Sequence, residues 1–310
     1  IGNLFSRFSE IASQNKYAWF KIHRSSNEIV EETPNNRMVG FPYTKYMNSI
    51  MRVNQSAALV ITSAKKAREL GIPESKWIFM HGGGCLNDIW NVTDRLNLHS
   101  SPAIKKCSQA IFNAANCTQA DISFFDLYSC FPSAVQIARK EIGIPDGDNR
   151  DLTVTGGLPY YGGPGSAYVV NSIASMVSKL RENPGKLGMV TANGWFLTKH
   201  GAGVFSSNPF LGEWNQVIDS SHLQKEIENS DHPEFIEEAN GKGLIETYTV
   251  VNSREGPTKA IIIGLLEDGK RFVANTEKDE NLLNKMMQNE MLNTKGTVRF
   301  ENSRNIFQPD

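Results

Sequence analysis

Short apolar runs alternate with amphipathic helical segments over residues 57–206. We expect buried strands at the runs that are continuous, as in strands covered on both faces, namely 57–61, 77–80, 122–127, 152–154 and 187–192. Apolar residues at helical spacing predict helices between them, over 64–70, 101–115, 132–142 and 166–180. Glycines predict a loop at 82–84, and 203–205 reads as a last strand. This order indicates an α/β fold with a mostly parallel sheet and helices on both faces.

The composition changes beyond Pro209. Residues 213–240 are polar and charged, which is typical of a linker with one helix. Strands are then predicted by alternating apolar residues over 245–251, 260–266, 271–274 and 296–300, with a helix over 279–291. We therefore predict a small, separate β-rich domain, which resembles an oligonucleotide-binding (OB) barrel.

Charge and composition exclude several classes of protein. The chain of 310 residues has 32 Lys and Arg against 33 Asp and Glu, a net charge of -1, and we predict no nucleic-acid partner. No apolar run approaches the roughly 18 residues of a membrane-spanning helix, so we predict no membrane span. Residues 1–3 lead directly into an amphipathic segment, which argues against a signal peptide.

The cysteines are Cys85, Cys107, Cys117 and Cys130, and no two form a CxxC pair. This spacing predicts reduced thiols in a cytoplasmic protein, without a disulfide framework. The spacing of the histidines also predicts no metal site.

Candidate chemistry lies where predicted strands end. Tyr128 and Cys130 follow the strand at 122–127, and ligand sites of open parallel sheets collect at that edge. A cysteine next to a helix N-terminus is expected to have a lowered pKa, which suits proton transfer. The alternative is a thiol packed in the core.

Two further loops follow strands. The segment 156–165 is rich in glycine and includes Gly162 and Gly163, so its backbone N–H groups can approach an anionic or carbonyl ligand. It is neither a GxGxxG motif nor a P-loop. Asn193, Gly194 and His200 follow the strand at 187–192, where His200 is either an acid/base or a structural histidine.

Together these segments resemble the thiolase superfamily, in particular the acetyl-CoA acetyltransferase-like proteins related to sterol-carrier-protein thiolases. The resemblance rests on 36–43 (Asn-Arg-Met-Val-Gly-Phe-Pro-Tyr), 126–134 (Asp-Leu-Tyr-Ser-Cys-Phe-Pro-Ser-Ala), 155–165 and 190–200. The β-rich tail resembles the additional C-terminal domain of thiolase-like protein type 1. The fold implied is a thiolase-like C-terminal half followed by that small domain.

The resemblance also implies a domain organisation. Residues 1–70 correspond to the remainder of the N-terminal thiolase domain and its loop region, 71–210 to the C-terminal thiolase domain, 211–240 to a linker, and 241–310 to the small OB-like domain. Thiolases take their nucleophilic cysteine from the N-terminal half, most of which is absent here. The resemblance therefore assigns no nucleophile to this sequence.

The family's other catalytic positions are altered. Tyr128 stands where the superfamily has the Asn or His of an oxyanion hole, and Cys130 where sterol-carrier-type thiolases have an acid/base cysteine. Gly163 takes the place of the histidine of the Gly-His-Pro box, and the Cys-x-Gly box corresponds to 191–193, which contains no cysteine. We expect either that His200 moves into the space of the missing base or that the site has become a binding pocket.

The leading hypothesis is an acyl-CoA acyltransferase of lipid metabolism, with Cys130, His200 and Tyr128 as catalytic residues. Gly162, Gly163, Asn193 and Gly194 are then the substrate-binding residues. The resemblance implies a coenzyme A thioester as substrate, no further cofactor, and either a homodimer or association with an N-terminal thiolase-domain polypeptide. The alternative is a non-catalytic acyl-CoA or lipid-binding, or scaffold, protein of the same fold.

Overall fold

The computed structural model describes residues 1–212 and 217–310, and the chain forms two compact units. The first consists of Ile1–Ile29, Met47–Asp88 and His99–Asn229, and the second of Val30–Tyr46, Ile89–Leu98 and Ser230–Asp310. The predicted linker at 211–240 includes residues 213–216, which lie outside the described part. The segments 30–46 and 89–98 belong to the second unit, although the predicted boundaries separated them from residues 241–310.

The helices, apart from short 3₁₀ turns, are α1 Gly2–Gln14, α2 Ser26–Val30, α3 Ala64–Glu69, α4 Pro102–Ala114, α5 Pro132–Ile142, α6 Tyr168–Glu182, α7 Ser221–Glu228 and α8 Glu280–Gln288. Local chemistry sets several ends. Ser101 caps α4 by accepting from the N–H of Ile104 at 3.1 Å, and Pro102 takes the first helical position. Gly143 ends α5 at a φ of 85°.

The strands are β1 Met38–Gly40, β2 Tyr43–Thr44, β3 Phe79–Asn87, β4 Ile122–Asp126, β5 Leu187–Gly194, β6 Lys199–Ser206, β7 Gly241–Asn252, β8 Pro257–Leu266, β9 Arg271–Asn275, β10 Lys295–Glu301 and β11 Arg304–Pro309. None of the described helices is long and apolar enough to cross a lipid bilayer.

The sheet of the first unit is mixed, which corrects the prediction of a mostly parallel sheet. Its order is β3-β6-β5-β4; β4 and β5 are parallel, whereas β6 runs antiparallel to both β5 and β3. The reason is the short connection 195–198 between β5 and β6. A link of this length closes a hairpin, whereas parallel neighbours need a crossover of roughly a dozen residues or more.

Helices cover both faces of this sheet, as predicted. A Cβ built on Gly82 would lie 2.7 Å from the carbonyl oxygen of Ile111 in α4. On Gly188 it would lie 2.3 Å from the sulfur of Met176 in α6. Gly82 aligns across β6 with Met189, the chain neighbour of Gly188, so the two glycines point to opposite faces.

Three predicted elements are wrong. Residues 57–61 form no strand, and Val60 and Ile61 are 86% and 91% exposed. The glycines at 82–84 form part of β3 instead of a loop; a Cβ on Gly82 would clash with α4, and one on Gly84 would clash with Ile218. Residues 152–154 form no strand, since the N–H groups of Val154 and Thr155 bind the carboxylate of Asp126, at 2.9 and 3.0 Å.

The second unit contains a closed five-stranded barrel. Its order is β7-β8-β9-β11-β10, and β10 also pairs with β7, which closes the sheet. The β9–β11 pair is parallel and the other pairs are antiparallel, with α8 between β9 and β10 along the chain. OB folds are small five-stranded barrels of this kind. The strands β1 and β2 extend the sheet beside β7.

A buried arginine ties the segment 89–98 to this barrel. Arg271 is 2% exposed and its guanidinium donates to both carboxylate oxygens of Glu246, at 2.7 and 2.6 Å. It also donates to the carbonyl oxygens of Thr93 and Arg95, at 2.7 and 2.5 Å. The guanidinium thus makes four hydrogen bonds, two of them in a forked contact with the carboxylate.

Candidate functional site

A small cavity lies between the sheet of the first unit and the helices α4 and α5. Its volume is about 20 Å³, which is room for a water molecule. Tyr128, Asn193, Leu197 and His200 line it together with apolar side chains of both helices. The cavity therefore lies at the carboxyl ends of β4 and β5, where the sequence placed its candidate residues.

His200 lies at the start of β6 and is 6% exposed. Its Nε2 lies 3.0 Å from Oδ2 of Asp88 and 3.1 Å from the carbonyl oxygen of Leu197. Both neighbours are acceptors, so Nε2 carries a proton and donates it. Nδ1 is then the ring nitrogen left for a further partner.

Asp88 anchors this histidine and the start of α4 together. Its Oδ2 accepts from the hydroxyl of Ser101, and its Oδ1 accepts from the N–H of Ala103 at 2.9 Å. A carboxylate at a helix N-terminus is favourable because it satisfies N–H groups that lack partners within the helix. Sequence reasoning missed Asp88; the signal available was an aspartate directly after the strand that precedes the Ser-Pro cap.

Cys130 is half-buried and its Sγ accepts from Nδ2 of Asn193 at 3.7 Å. Burial raises the pKa of the Cys130 thiol to about 11, although hydrogen bonds from the backbone and Asn193 act in the opposite direction. The expected lowering of this pKa is therefore wrong. The helix begins at Pro132, and its favourable end does not outweigh the loss of solvent around the sulfur.

Tyr128 is held from its backbone, where its N–H donates to the hydroxyl of Thr191 at 2.8 Å. Its ring packs edge-on against Tyr168, with the ring centres 5.4 Å apart. Burial raises the pKa of Tyr128, and the nearby Cys130 adds to the shift. The hydroxyl at the cavity therefore remains protonated, and can donate a hydrogen bond, across the physiological pH range.

Asn193 connects the candidate residues. It is the cross-strand partner of His200 in the β5–β6 pair, so the two side chains share the face that lines the cavity. Its Nδ2 reaches Cys130, while its Oδ1 is buried and has no hydrogen-bond partner among the described residues. The structure thus brings Tyr128, Asn193 and His200 to one cavity and Cys130 to its edge.

The glycine-rich loop is packed against the segment 49–55. The N–H of Gly163 donates to the carbonyl oxygen of Ile50 at 2.9 Å, and a Cβ at Gly163 would lie 2.2 Å from Oγ of Ser49. Gly162 has a φ of +123°, and its Cβ would lie 2.3 Å from Oε1 of Gln55. The space in front of both glycines is therefore filled by side chains of this segment.

Gly194 has a different place, at the turn between β5 and β6. Its carbonyl oxygen accepts from the N–H of Thr198 at 3.2 Å, which closes the turn 195–198. None of the contacts described for Gly194 involves Gly162 or Gly163. The predicted substrate-binding glycines therefore lie on two loops with separate partners.

A buried aspartate, which sequence reasoning did not single out, shapes the loop that precedes Gly162. Asp126 is fully buried and its Oδ2 accepts from the hydroxyls of Thr153 and Thr155, at 3.0 and 2.9 Å. Its Oδ1 accepts from the hydroxyl of Tyr168 at 3.1 Å. The threonine hydroxyls in turn accept from the N–H groups of Gly156 and Gly157. Asp126 therefore fixes the loop as a unit.

No group of three or more His, Cys, Asp or Glu side chains within residues 1–212 and 217–310 is arranged to hold a metal ion. The four cysteines are free thiols. The chemistry available in the site is therefore that of neutral donors, a protonated thiol and one anchored histidine.

Comparison with known proteins gives a family-model match and matches among solved structures. The family model of the thiolase-like protein type 1 additional C-terminal domain matches residues 222–303. Among solved structures, the chain is similar to a monomeric SCP2-thiolase-like protein type 1 from Mycobacterium smegmatis, with a TM-score of 0.89 and 32% sequence identity. The match covers 100% of this chain and 67% of that one. Among curated proteins, none matches this chain.

Proposed function

The chain belongs to the family of SCP2-thiolase-like proteins of type 1, and from this premise we propose that it binds acyl-CoA thioesters at the site of Tyr128, Cys130 and Asn193. We further propose that these residues do not carry out acyl transfer. The alternative within the family is an acyltransferase that uses Cys130, His200 and Tyr128.

The observation that carries the proposal is the filled space at Gly163. The superfamily places its activating histidine at this position, and here a Cβ would lie 2.2 Å from Oγ of Ser49. The N–H of Ser49 is itself bound to the carbonyl oxygen of Cys130 at 3.0 Å, so the segment that fills the space is anchored. A side chain at position 163 therefore cannot be accommodated without displacing the Ser49 hydroxyl.

The Cys130 thiol is also unsuited to acid–base catalysis near pH 7. With a pKa of about 11, Cys130 is a thiolate in only about one molecule in ten thousand at pH 7. Efficient general acids and bases have pKa values near the working pH. His200 donates its Nε2 proton to Asp88 and Leu197, which orients its ring by structural contacts.

Binding is supported by the neutral donors that remain. The hydroxyl of Tyr128 stays protonated because its pKa is raised, and the amide of Asn193 carries two N–H donors beside Cys130. Uncharged donors of this kind stabilise the polarised carbonyl oxygen of a thioester without reacting with it.

The test combines calorimetric binding of acetyl-CoA with an assay of CoA release on the same sample. We expect binding without release of CoA and without a mass increase of the protein. Asn193→Ala should weaken binding about fivefold or more, which corresponds to the loss of one neutral hydrogen bond of about 1 kcal/mol. Leu70→Ala, which removes an exposed side chain at the end of α3, is the matched control and should change nothing.

The acyltransferase alternative is supported by the row Cys130, Asn193 and His200, in which the amide lies between a thiol and an imidazole. It predicts release of CoA by the wild type and loss of that release in Cys130→Ala and in His200→Ala. Turnover that disappears in both variants would replace the binding proposal by the acyltransferase.

The assembly of the protein is a separate proposal. Resemblance to thiolases implies a homodimer or an N-terminal thiolase-domain partner, whereas the Mycobacterium smegmatis protein is monomeric. Light scattering after size exclusion separates a monomer of this chain from a dimer. A second polypeptide that copurifies and is identified by mass would support the partner instead.

A cytoplasmic location is likewise proposed, supported by the four free thiols. Cell fractionation tests it.

A further inference from the structure

The turn 195–198 presents two large aromatic side chains beside the candidate site. Trp195 and Phe196 are 65% and 66% exposed, and their rings lie 5.5 Å apart in an edge-to-face arrangement. Trp195 follows Asn193 by two residues, so their Cα atoms are at most about 7 Å apart. An exposed pair of rings therefore lies next to the residue that connects Cys130 and His200.

The backbone of this turn includes two residues in the left-handed region. Trp195 and Leu197 have φ values of 60° and 52°, although neither is a glycine. Bulky residues in this left-handed region are uncommon, and such strain is concentrated at functional sites. At Leu197 the result is visible, because its carbonyl oxygen accepts from His200 and its side chain lines the cavity.

The cavity itself is too small for an acyl chain. Its volume of about 20 Å³ accommodates a water molecule, and Ile104 and Ala138 are among the apolar side chains that line it. A thioester whose carbonyl oxygen binds Asn193 therefore has to extend its acyl chain outside the cavity. The rings of Trp195 and Phe196 are the exposed apolar surface adjacent along the chain.

We propose that Trp195 and Phe196 bind the acyl chain of the thioester, so that the site prefers acyl groups longer than acetyl. This inference rests on the proposed binding of acyl-CoA and names its specificity. Each methylene that is fully buried improves binding by up to about fourfold, and one that is half buried by about twofold. Hexanoyl-CoA has four methylenes more than acetyl-CoA, so we expect it to bind at least about tenfold more tightly.

The experiment measures dissociation constants of free CoA, acetyl-CoA and hexanoyl-CoA by calorimetry, for the wild type and for variants of the turn. In Trp195→Ala and in Phe196→Ala the preference for hexanoyl-CoA over acetyl-CoA should fall to about threefold or less. Trp195→Phe retains a ring and should retain most of the preference. Trp195→Gly removes the ring and tolerates the positive φ, and circular dichroism with an unchanged affinity for free CoA verifies that the variant is folded. Leu70→Ala should keep the wild-type preference.

Three outcomes would overturn the inference. Equal binding of acetyl-CoA and hexanoyl-CoA by the wild type refutes it and leaves the proposed function standing. A preference that survives in Trp195→Gly also refutes it. A loss of affinity for free CoA that equals the loss for hexanoyl-CoA assigns the rings to the adenine base instead. If the wild type binds no CoA compound, the proposed function is wrong, and so is the specificity that rests on it.

Discussion

Replacing Gly163 by alanine tests directly whether the place of the family's histidine is filled. The backbone of Gly163 lies outside the left-handed region, so alanine adds no backbone strain. The added Cβ would lie 2.2 Å from Oγ of Ser49, whereas its next neighbours, the carbonyl oxygen of Ile50 and a methyl group of Leu158, are at 3.4 Å. The clash is therefore with a single side-chain atom.

The loss of unfolding free energy in Gly163→Ala depends on how the Ser49 side chain can rearrange. Its N–H is bound to the carbonyl oxygen of Cys130, so Oγ has to rotate to another staggered position or the segment has to shift. Overpacking of this size costs about 1–2 kcal/mol, which lowers the melting temperature by about 4 °C. In Ser49→Ala the clashing atom is absent, and Gly163→Ala should then cost less than about 0.5 kcal/mol.

A double-mutant cycle in urea measures this coupling, with unfolding followed by tryptophan fluorescence and circular dichroism. We expect a coupling energy of about 1 kcal/mol between Ser49 and Gly163. If Gly163→Ala costs the same with serine and with alanine at position 49, the space is not filled by Ser49. In that case the place of the family's histidine is open at Gly163.

Three other predictions concern the thiol, the loop and the barrel. Below its pKa of about 11 the Cys130 thiol is protonated, so the rate of its alkylation should rise about tenfold per pH unit between pH 8 and pH 10. Peptide mass spectrometry measures this rate. A rate that levels off below pH 9 contradicts the raised pKa. Gly157 and Gly143 have φ values of +78° and +85°, but a Cβ at Gly157 would lie 2.6 Å from an aromatic ring whereas Gly143 faces open space. In urea unfolding, Gly143→Ala should lower the free energy of unfolding by about 1 kcal/mol, and Gly157→Ala should lower it by at least about 2 kcal/mol more. Equal losses in the two variants would show that the space around Gly157 is not crowded. Arg271→Lys loses the forked contact with Glu246 and should lower the free energy of unfolding by about 3 kcal/mol. Amide hydrogen exchange in 89–98 and β9 should then be faster. Unchanged exchange there would show that Arg271 does not hold these segments together.

Helices were predictable because their signals are local. Ser101, Pro102 and Gly143 mark ends by their own side chains and dihedral preferences, and α4 and α5 follow the predicted bounds to within about a residue. The barrel strands were predictable in the same way from alternation and turn residues, apart from β11. β11 follows β10 through the two-residue turn 302–303, where both residues have positive φ, so a local hairpin signal was present and was missed. Its parallel pairing with β9 is remote along the chain and has no such local signal.

The strands of the first unit were less predictable because contacts remote in sequence decide them. The apolar residues 152–154 form no strand because a carboxylate, that of Asp126, takes N–H groups that a neighbouring strand would otherwise take. The glycines at 82–84 continue a strand, where Gly82 lies against α4 and Gly84 against Ile218, and no local pattern shows these contacts. The direction of β6 depended on the absence of a helix between residues 194 and 199.

The residues placed at the site by sequence came from strand ends, which is why Tyr128, Asn193 and His200 lie at one cavity. The groups that decide what the site can do were not visible in this way. Asp88 and Ser49 act on His200 and Gly163 across separations of more than a hundred residues. A motif shows which residue type occupies a position, but the state of that residue depends on such distant partners.

The groups that shape the site loops are different from the groups on which thiolase chemistry depends. Asp126 and its threonines hold the 153–157 loop through bonds to backbone N–H groups, and Asp88 holds the start of α4. None of these bonds requires a reactive sulfur or a histidine at Gly163. The Ser49 hydroxyl occupies the space that a Cβ at Gly163 would need. The loop geometry of the family can therefore persist while its acid–base pair is lost, which is the physical reason to propose binding before turnover.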